Sequence, residues 1–415
     1  MFTQNDDNNY GLSENVRPKN FHRRITAMTA KIFRAVLVLA VVLSFASMSF
    51  ASEASEAVNN FAFSAGKIIM SNSAGNFFFS PLSIISAFGM AYAGASGDTA
   101  IEIETSLGIN QGIHESLGGL LRDLDGNGYV TSANRVWLKN GLKLRKTYRD
   151  ILSVNYKASA GRLDFKGKTE ESRKEINIWV SRRTNGRIND LLQTLDPETR
   201  MIITNAIYFN AEWRNKFPKS ATGNEKFYTV GDEYKEVPMM KQRGDFRYCE
   251  IDGVKVVAIP YKGYRLSMIV ALPPKENLEA LKNADAETFS KWLDAMEMYD
   301  VDLWLPKFKT ETRYELRNVF EALGIKRAFT NYADFSGITA DEPLRADGVI
   351  HQTFINVDEE RTEAAAATAV PMLMGTAMPM KRPFAEFHAE RPFMYFIRDN
   401  ESGTILFMGY QNFGD

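Results

Sequence analysis

The chain of 415 residues has one cysteine, Cys249, which excludes an internal disulfide and any cysteine-based zinc site. Its four histidines, His22, His114, His351 and His388, lie too far apart to form a metal-ligand motif. Neither sign of charge is in surplus. Lys+Arg number 50 and Asp+Glu 51, for a formal net charge of −1, whereas a dedicated nucleic-acid binder would carry a basic excess. There is no G-x-S-x-G nucleophile elbow, no G-x-x-x-x-G-K-[ST] phosphate loop and no H-E-x-x-H zinc helix. No metal or cofactor is therefore expected, and a hydrolase is only a distant reading. Residues 52–415 contain no Pro/Gly/Ser linker and no internal repeat. What is present is a hydrophobic share of 45%, enough for a large core in a chain of this length.

The first fifty residues stand apart. Residues 1–22 are polar, Arg23, Arg24, Lys31 and Arg34 form a basic stretch, and Ala35–Phe50 is an uncharged apolar run of 16 residues. Ser49 and Ala51 are small residues at the two positions a signal peptidase reads. The pattern predicts an extension and signal peptide over 1–51, cleavage near Ala51, and a secreted (extracellular or periplasmic) domain over 52–415. The run is short for a membrane span. An uncleaved anchor is the alternative, and Met28 is an alternative start.

Ser80 followed by Pro81 is a helix-start signal ahead of Pro81–Ala95, apolar nearly all round and so a buried helix. Residues 170–193 place Ile176, Trp179, Val180, Ile188 and Leu191 at roughly helical spacing. Strands are expected over Val254–Tyr261, Arg265–Leu272, Val301–Leu305, His351–Val357, Phe393–Ile397 and Thr404–Met408, the first two as a hairpin. Helices first and strands mainly later give an α+β class. Asp123-x-Asp125-x-Asn127-Gly128 copies half a calcium loop, but the twelfth position is Asn134 where a Glu is required, so a polar turn is expected. Lys139, Lys143, Arg145, Lys146 and Arg149 suggest a solvated basic face. Asn400-Glu401-Ser402 is a glycosylation sequon.

Residues 362–380, TEAAAATAVPMLMGTAMPM, carry a single charge, Glu363. Alanine favours helix, so a bland helix or tether is one reading. With period two, Thr362, Ala364, Ala366, Thr368 and Val370 share one face, and Glu363, Ala365, Ala367 and Ala369 the other. Side chains this small would let the segment slide between two existing strands.

At this point the sequence resembles the serpin family over essentially all of residues 55–413. The motifs stand in order: Asn76-Phe-Phe-Phe-Ser80-Pro-Leu-Ser83-Ile; Ile176-Asn-Ile-Trp179-Val with Thr184 and Ile188; Thr204-Asn205-Ala-Ile-Tyr-Phe-Asn-Ala-Glu-Trp213; Val237-Pro-Met-Met240; Leu305-Pro306-Lys307-Phe308; Glu359-Glu360-Arg-Thr362 through Thr368-Ala; and Arg391-Pro392-Phe393 through Ile405-Leu-Phe-Met-Gly409. Each is weak alone; seven in order are specific.

The resemblance implies three β-sheets, about eight or nine helices and an exposed reactive loop, about 359–385 here. It implies a monomeric suicide substrate of a serine protease, with no catalytic residues of its own; the protease forms an acyl-enzyme with the loop, and the cut loop then inserts into the large sheet. The alternative is a non-inhibitory serpin acting as carrier, chaperone or storage protein. An inserted strand of ~15 residues would span ~50 Å. By matched position the hinge is Glu359, Arg361, Thr362, Ala364, Ala365, Ala366, Ala367 and Thr368. The family's spacing puts the scissile bond at Gly375–Thr376, with Met374, Ala377 and Met378 as alternatives; Pro379 disfavours a cut after Met378. No Lys or Arg lies between Arg361 and Lys381, which points to elastase-, chymotrypsin- or subtilisin-like targets rather than trypsin-like ones. Ser80, Ser83, Asn205 and His351 are implied as a hydrogen-bond cluster (the shutter) controlling the sheet. Trp213, Lys307 and Glu359 are implied as guards of the insertion point (the breach), with Lys307–Glu359 an ion pair. Arg361 stands where inhibitory members usually have Gly, and Pro371 removes a backbone donor, so both are expected to burden insertion. No heparin site is evident, since Gly112–Asp125 holds only one Lys or Arg, Arg122.

Overall fold

An opening helix, α1, covers residues 53–72. Ser80-Pro81 then starts α2 (Pro81–Tyr92): the Ser80 hydroxyl accepts the Ser83 N–H, proline takes the first helical turn, and all twelve residues are buried. α2 stops short of Ala95, where the N–H groups of Gly94 and Ala95 tighten onto Ala91 O and Tyr92 O and the Gly94 carbonyl accepts from Gly337 instead. The structure is a computed structural model describing residues 53–72, 75–125, 130–229, 233–275, 277–362 and 382–414. The signal segment and the loop positions Ala364, Ala365, Ala366, Ala367, Thr368, Pro371, Met374, Gly375, Thr376, Ala377 and Met378 lie outside the described residues.

The remaining helices are α3 (Gly97–Leu107), α4 (Ile113–Asp125), α5 (Lys146–Tyr156), α6 (Thr169–Arg183), α7 (Glu279–Lys282), α8 (Ala286–Ala295) and α9 (Arg317–Ala322). The helix expected over 170–193 ends at Arg183, because Asn185 (φ 52°) and Gly186 (φ 75°) turn the chain back. Ile188 and Leu191 are nonetheless buried beside Ile176 and Val180, so the apolar spacing was real but not helical throughout. Asp123 lies within α4 and pairs with Arg265 at 2.5 Å, replacing the expected turn at that residue with the end of a helix. Lys139 pairs with Glu342 and Lys146 with Asp150 on the solvated basic face. The sequon nitrogen of Asn400 donates to Tyr264 O at 2.8 Å and Ser267 Oγ at 2.9 Å.

The strands form two hydrogen-bonded sheets. The seven-stranded sheet runs β3 (Gly161–Leu163), β2 (Val130–Lys139), β4 (Met201–Phe209), β12 (Gly348–Val357), β13 (Arg361–Thr362) and β5 (Ala211–Glu212), with β11 (Phe308–Glu315) on the other side of β12. The nine-stranded sheet runs β1 (Phe77–Phe79), β16 (Ile405–Gln411), β15 (Phe393–Asp399), β9 (Leu266–Leu272), β8 (Val254–Pro260), β7 (Tyr234–Ile251), β10 (Glu297–Pro306) and β14 (Phe384–His388), with β6 (Gly223–Tyr228) on β7. Two of the expected three sheets are joined into one hydrogen-bonded network by β7, 18 residues long, which pairs with β6 and β10 over most of its length and with β8 at its end. Among the described residues no helix is long and apolar enough to cross a membrane, and no His/Cys/Asp/Glu group could hold a metal ion.

All nine residues of β4 are buried, because apolar clusters cover both faces. Met201, Ile203, Ile207 and Phe209 join the main core with α2, while Ile202 and Ala206 face the smaller cluster under α6.

Candidate functional site: the seam and its clasp

β4 and β12 lie side by side in parallel, from Gly348↔Ile202 to Phe354↔Tyr208. Their outer neighbours, β2 and β11, are antiparallel to them. The centre of the sheet is thus a parallel seam, the weaker kind of ladder, between antiparallel flanks. Beyond Phe354 the seam parts, and β13 fills the gap: Thr362 pairs antiparallel with Val357 of β12 and with Ala211 of β5, and Arg361 pairs with Glu212.

Ser80, Ser83, Asn205 and His351 meet beneath the seam. Period-two alternation turns Asn205 and His351 toward the start of α2, among otherwise apolar neighbours, and the two lie directly opposite in register. The Ser80 N–H donates to His351 Nε2 at 3.1 Å. Nε2 is therefore an acceptor, the imidazole is neutral, and its proton sits on Nδ1, which donates to Asn205 Oδ1. Asn205 Nδ2 donates to Ser83 O (2.7 Å), Ser83 Oγ (2.5 Å) and Asn134 Oδ1 (2.6 Å), and Ser80 Oγ donates to Leu406 O (2.7 Å). Asn134, which the sequence offered only as an unsuitable calcium ligand, belongs to this cluster. The missed signal was an asparagine among the core-facing positions of β2.

Burial pushes the pKa of His351 down to about 3. The unfolded chain takes up this proton near pH 6.5, the folded chain only near 3. The stability contribution is therefore complete above about pH 6.5 and is lost as pH falls from there toward 3. Urea unfolding at pH 7.5 and 4.0 should differ by roughly 3 kcal/mol through His351 alone. Burial lowers His114 to about 4, which adds loss in the same window. In His351→Gln the His351 part should vanish; an undiminished difference would refute the assignment.

Residues 358–360 turn β12 back into β13, and each is anchored. The indole N–H of Trp213 donates to Asp358 O at 2.8 Å. Phe217 N–H donates to Glu359 O, Trp213 N–H donates to Glu360 O, and Lys219 pairs with the Glu360 carboxylate at 2.7 Å. Trp213 is buried and stacks on Tyr261 with ring centroids 4.6 Å apart. Glu359 is buried; its carboxylate accepts from Lys307 Nζ (2.8 Å) and Thr222 Oγ1 (3.0 Å). Burial alone would raise its pKa, but Lys307, a backbone N–H and Thr222 together hold it below the ordinary carboxylate range. This is more than an exposed surface pair: the Glu359 side chain keeps only 8% of its exposure and the Lys307 side chain 36%. Thr222, Tyr261 and Lys219 had no sequence signal, because they reach the turn only through tertiary folding. Arg361 pairs as ordinary strand and is not among the positive-φ residues, so the missing glycine imposes no backbone strain in this closed arrangement.

The chain as a whole has relatives among known proteins. The family profile described as serpin (serine protease inhibitor) matches residues 56–412. An uncharacterized serpin-like protein of Thermococcus kodakarensis is 41% identical over 361 residues, 85% of this chain and 84% of that one. Serpin B3 of Homo sapiens is 36% identical over 384 residues, 86% of this chain and 98% of that one. Among solved structures, a tumour-suppressing serpin matches with a TM-score of 0.79 at 26% identity, covering 87% of this chain and 99% of that one. Uncleaved ovalbumin matches with a TM-score of 0.76 at 26% identity, covering 86% and 99%. The chain belongs to the serpin family, and its fold is the α+β serpin fold.

Proposed function

We propose that this serpin is a suicide-substrate inhibitor of elastase-, chymotrypsin- or subtilisin-like serine proteases. One observation carries the reading: β13 already lies antiparallel to both neighbours at the open end of a parallel seam. Continuing that strand down the seam would exchange one parallel junction for two antiparallel ones, a favourable trade. The small residues Ala364, Ala365, Ala366, Ala367 and Thr368 suit such a strand. While the loop is intact, both of its ends are tied and insertion is blocked. Attack by a protease serine on the carbonyl of Gly375, or of Met374, Ala377 or Met378, would form an acyl-enzyme and release the chain beyond as a free amine. The freed strand would then insert and carry the protease with it. In this scheme Ser80, Ser83, Asn205 and His351 govern opening of the seam, and Trp213, Lys307 and Glu359 hold the hinge until it is cut. We infer export through the 1–51 segment, and action as a monomer.

Incubation with pancreatic elastase, chymotrypsin and subtilisin should give a covalent complex stable on a denaturing gel with at least one of them, and none with trypsin. Mass spectrometry of the released C-terminal fragment would locate the cut. Cleaved product alone, with full protease activity across the panel, would favour the rival reading of a non-inhibitory carrier, chaperone or storage serpin.

A further inference from the structure

Away from the seam's exposed end, a cavity of about 390 Å³ lies between α2, α4, α5, α6 and the β2–β4 pair. Its inner wall is apolar, with Leu82, Leu121, Leu124 and Ile207. Arg122, Arg135, Lys157 and Arg183 line it as well, and among the described lining residues there is no carboxylate. The cavity falls toward the lower end of the ~300–1,000 Å³ of small-molecule sites, which suits one alkyl chain.

The arginines are placed rather than loose. Arg122 Nη1 donates to Val154 O and Arg135 Nε to Ser159 O, each at 3.2 Å. The Arg135 guanidinium lies 4.5 Å from the Trp137 ring and 5.2 Å from that of Trp179, and Arg183 lies 5.8 Å from the Trp179 ring. Burial lowers the pKa of Arg135; Glu175 opposes this and the charge on Arg183 reinforces it. The site thus gathers positive charge that an anion would relieve, beside a wall that an apolar tail would cover.

We propose that this cavity binds a single-chain amphiphilic anion, its alkyl tail on the apolar wall and its carboxylate or sulfate head among Arg122, Arg135 and Arg183, and that occupancy holds the seam closed. The link to the seam is Asn134. Ser83 and Asn134 line the cavity, and Asn134 Oδ1 accepts from Ser83 Oγ at 3.1 Å and from Asn205 Nδ2, whose own Oδ1 holds His351. A ligand that fits the closed arrangement stabilises it by mass action, slowing opening about tenfold at ten times the dissociation constant. Only the purpose of that control rests on the inhibitory reading.

The test titrates the full chain with sodium dodecanoate below its micelle concentration, following tryptophan emission, with dodecyltrimethylammonium and butyrate as controls for head and tail. Saturable dodecanoate binding at least tenfold tighter than either control is expected, weakened at least tenfold in Arg183→Gln, a change at an exposed position. Arg135→Gln is the second variant and should behave alike. Hydrogen exchange at β4 and β12 amides should slow about tenfold at ten times the dissociation constant. Equal affinity for the cationic amphiphile, or undiminished affinity in both variants, would overturn the site. Unchanged seam exchange in saturated protein would overturn the coupling. Neither readout involves a protease, so failure of the inhibitory reading would show separately, as missing covalent complex with dodecanoate binding intact.

Discussion

A single cut in the loop between residues 363 and 381 should raise the melting temperature by roughly 10–30 °C. The size follows from what insertion must accomplish. A protease is held together by only ~5–15 kcal/mol, and disabling one requires a release of at least that order. For a chain of this length each kcal/mol moves the midpoint by about 2 °C. Under the proposed inhibitory mechanism, the intact protein is a kinetic trap whose lower-energy form is barred by the two fixed ends of the loop. Scanning calorimetry before and after limited elastase digestion reads this directly. A nicked protein that melts with its parent would remove the basis for the inhibitory mechanism, whatever its gels showed.

Asn205→Ala should loosen the closed sheet strongly. It strips the partner from the fully buried His351 Nδ1–H and one bond each from Ser83 O and from Asn134 Oδ1, which keeps the Ser83 hydroxyl. An unsatisfied buried donor costs ~1–3 kcal/mol and each further bond lost about 1 kcal/mol, so the closed sheet loses roughly 3 kcal/mol. An inserted form that does not use this cluster loses less, so the balance tips. On mild warming the variant should pass, uncut, into species with its loop inserted into its own sheet or a neighbour's. Size-exclusion chromatography and the loss of protease-complexing capacity would follow the conversion. Ser83→Ala, which removes one hydroxyl from the same cluster, should cost about 1 kcal/mol and convert more slowly. A monomeric N205A protein with parental melting would show that the cluster does not hold the seam.

Local chemistry made some of this legible in advance. The Ser80-Pro81 start signal specified α2 by capping geometry alone, and the hairpin between β8 and β9 was marked by Gly263, whose φ is 86°. Several strands were placed but drawn short. β10 begins at Glu297 rather than Val301, because its exposed, polar first half is held by pairing with β7 and carries little apolar pattern. The helical spacing beyond Arg183 misled, since a buried turn can return apolar residues to the same cluster. At the site, serine, asparagine and histidine could be named from ordered motifs, but their hydrogen bonds could not. Asn134, Thr222 and Tyr261 join only when strands distant in sequence come into register, which no local signal encodes.

The earliest and latest parts of the described chain are buttoned together. Ser55 Oγ meets Thr404 Oγ1 at 2.6 Å, Asn59 Nδ2 donates to Gly403 O, and the Ile405 N–H donates to Asn59 Oδ1. β16, which those residues introduce, lies between β1 and β15. During synthesis, then, α1 emerges from the ribosome long before its partners exist, and the sheet around β16 cannot close until those partners are made. Contacts of such sequence separation slow folding. The nascent polypeptide therefore cannot complete this sheet before β16 and its neighbours are made.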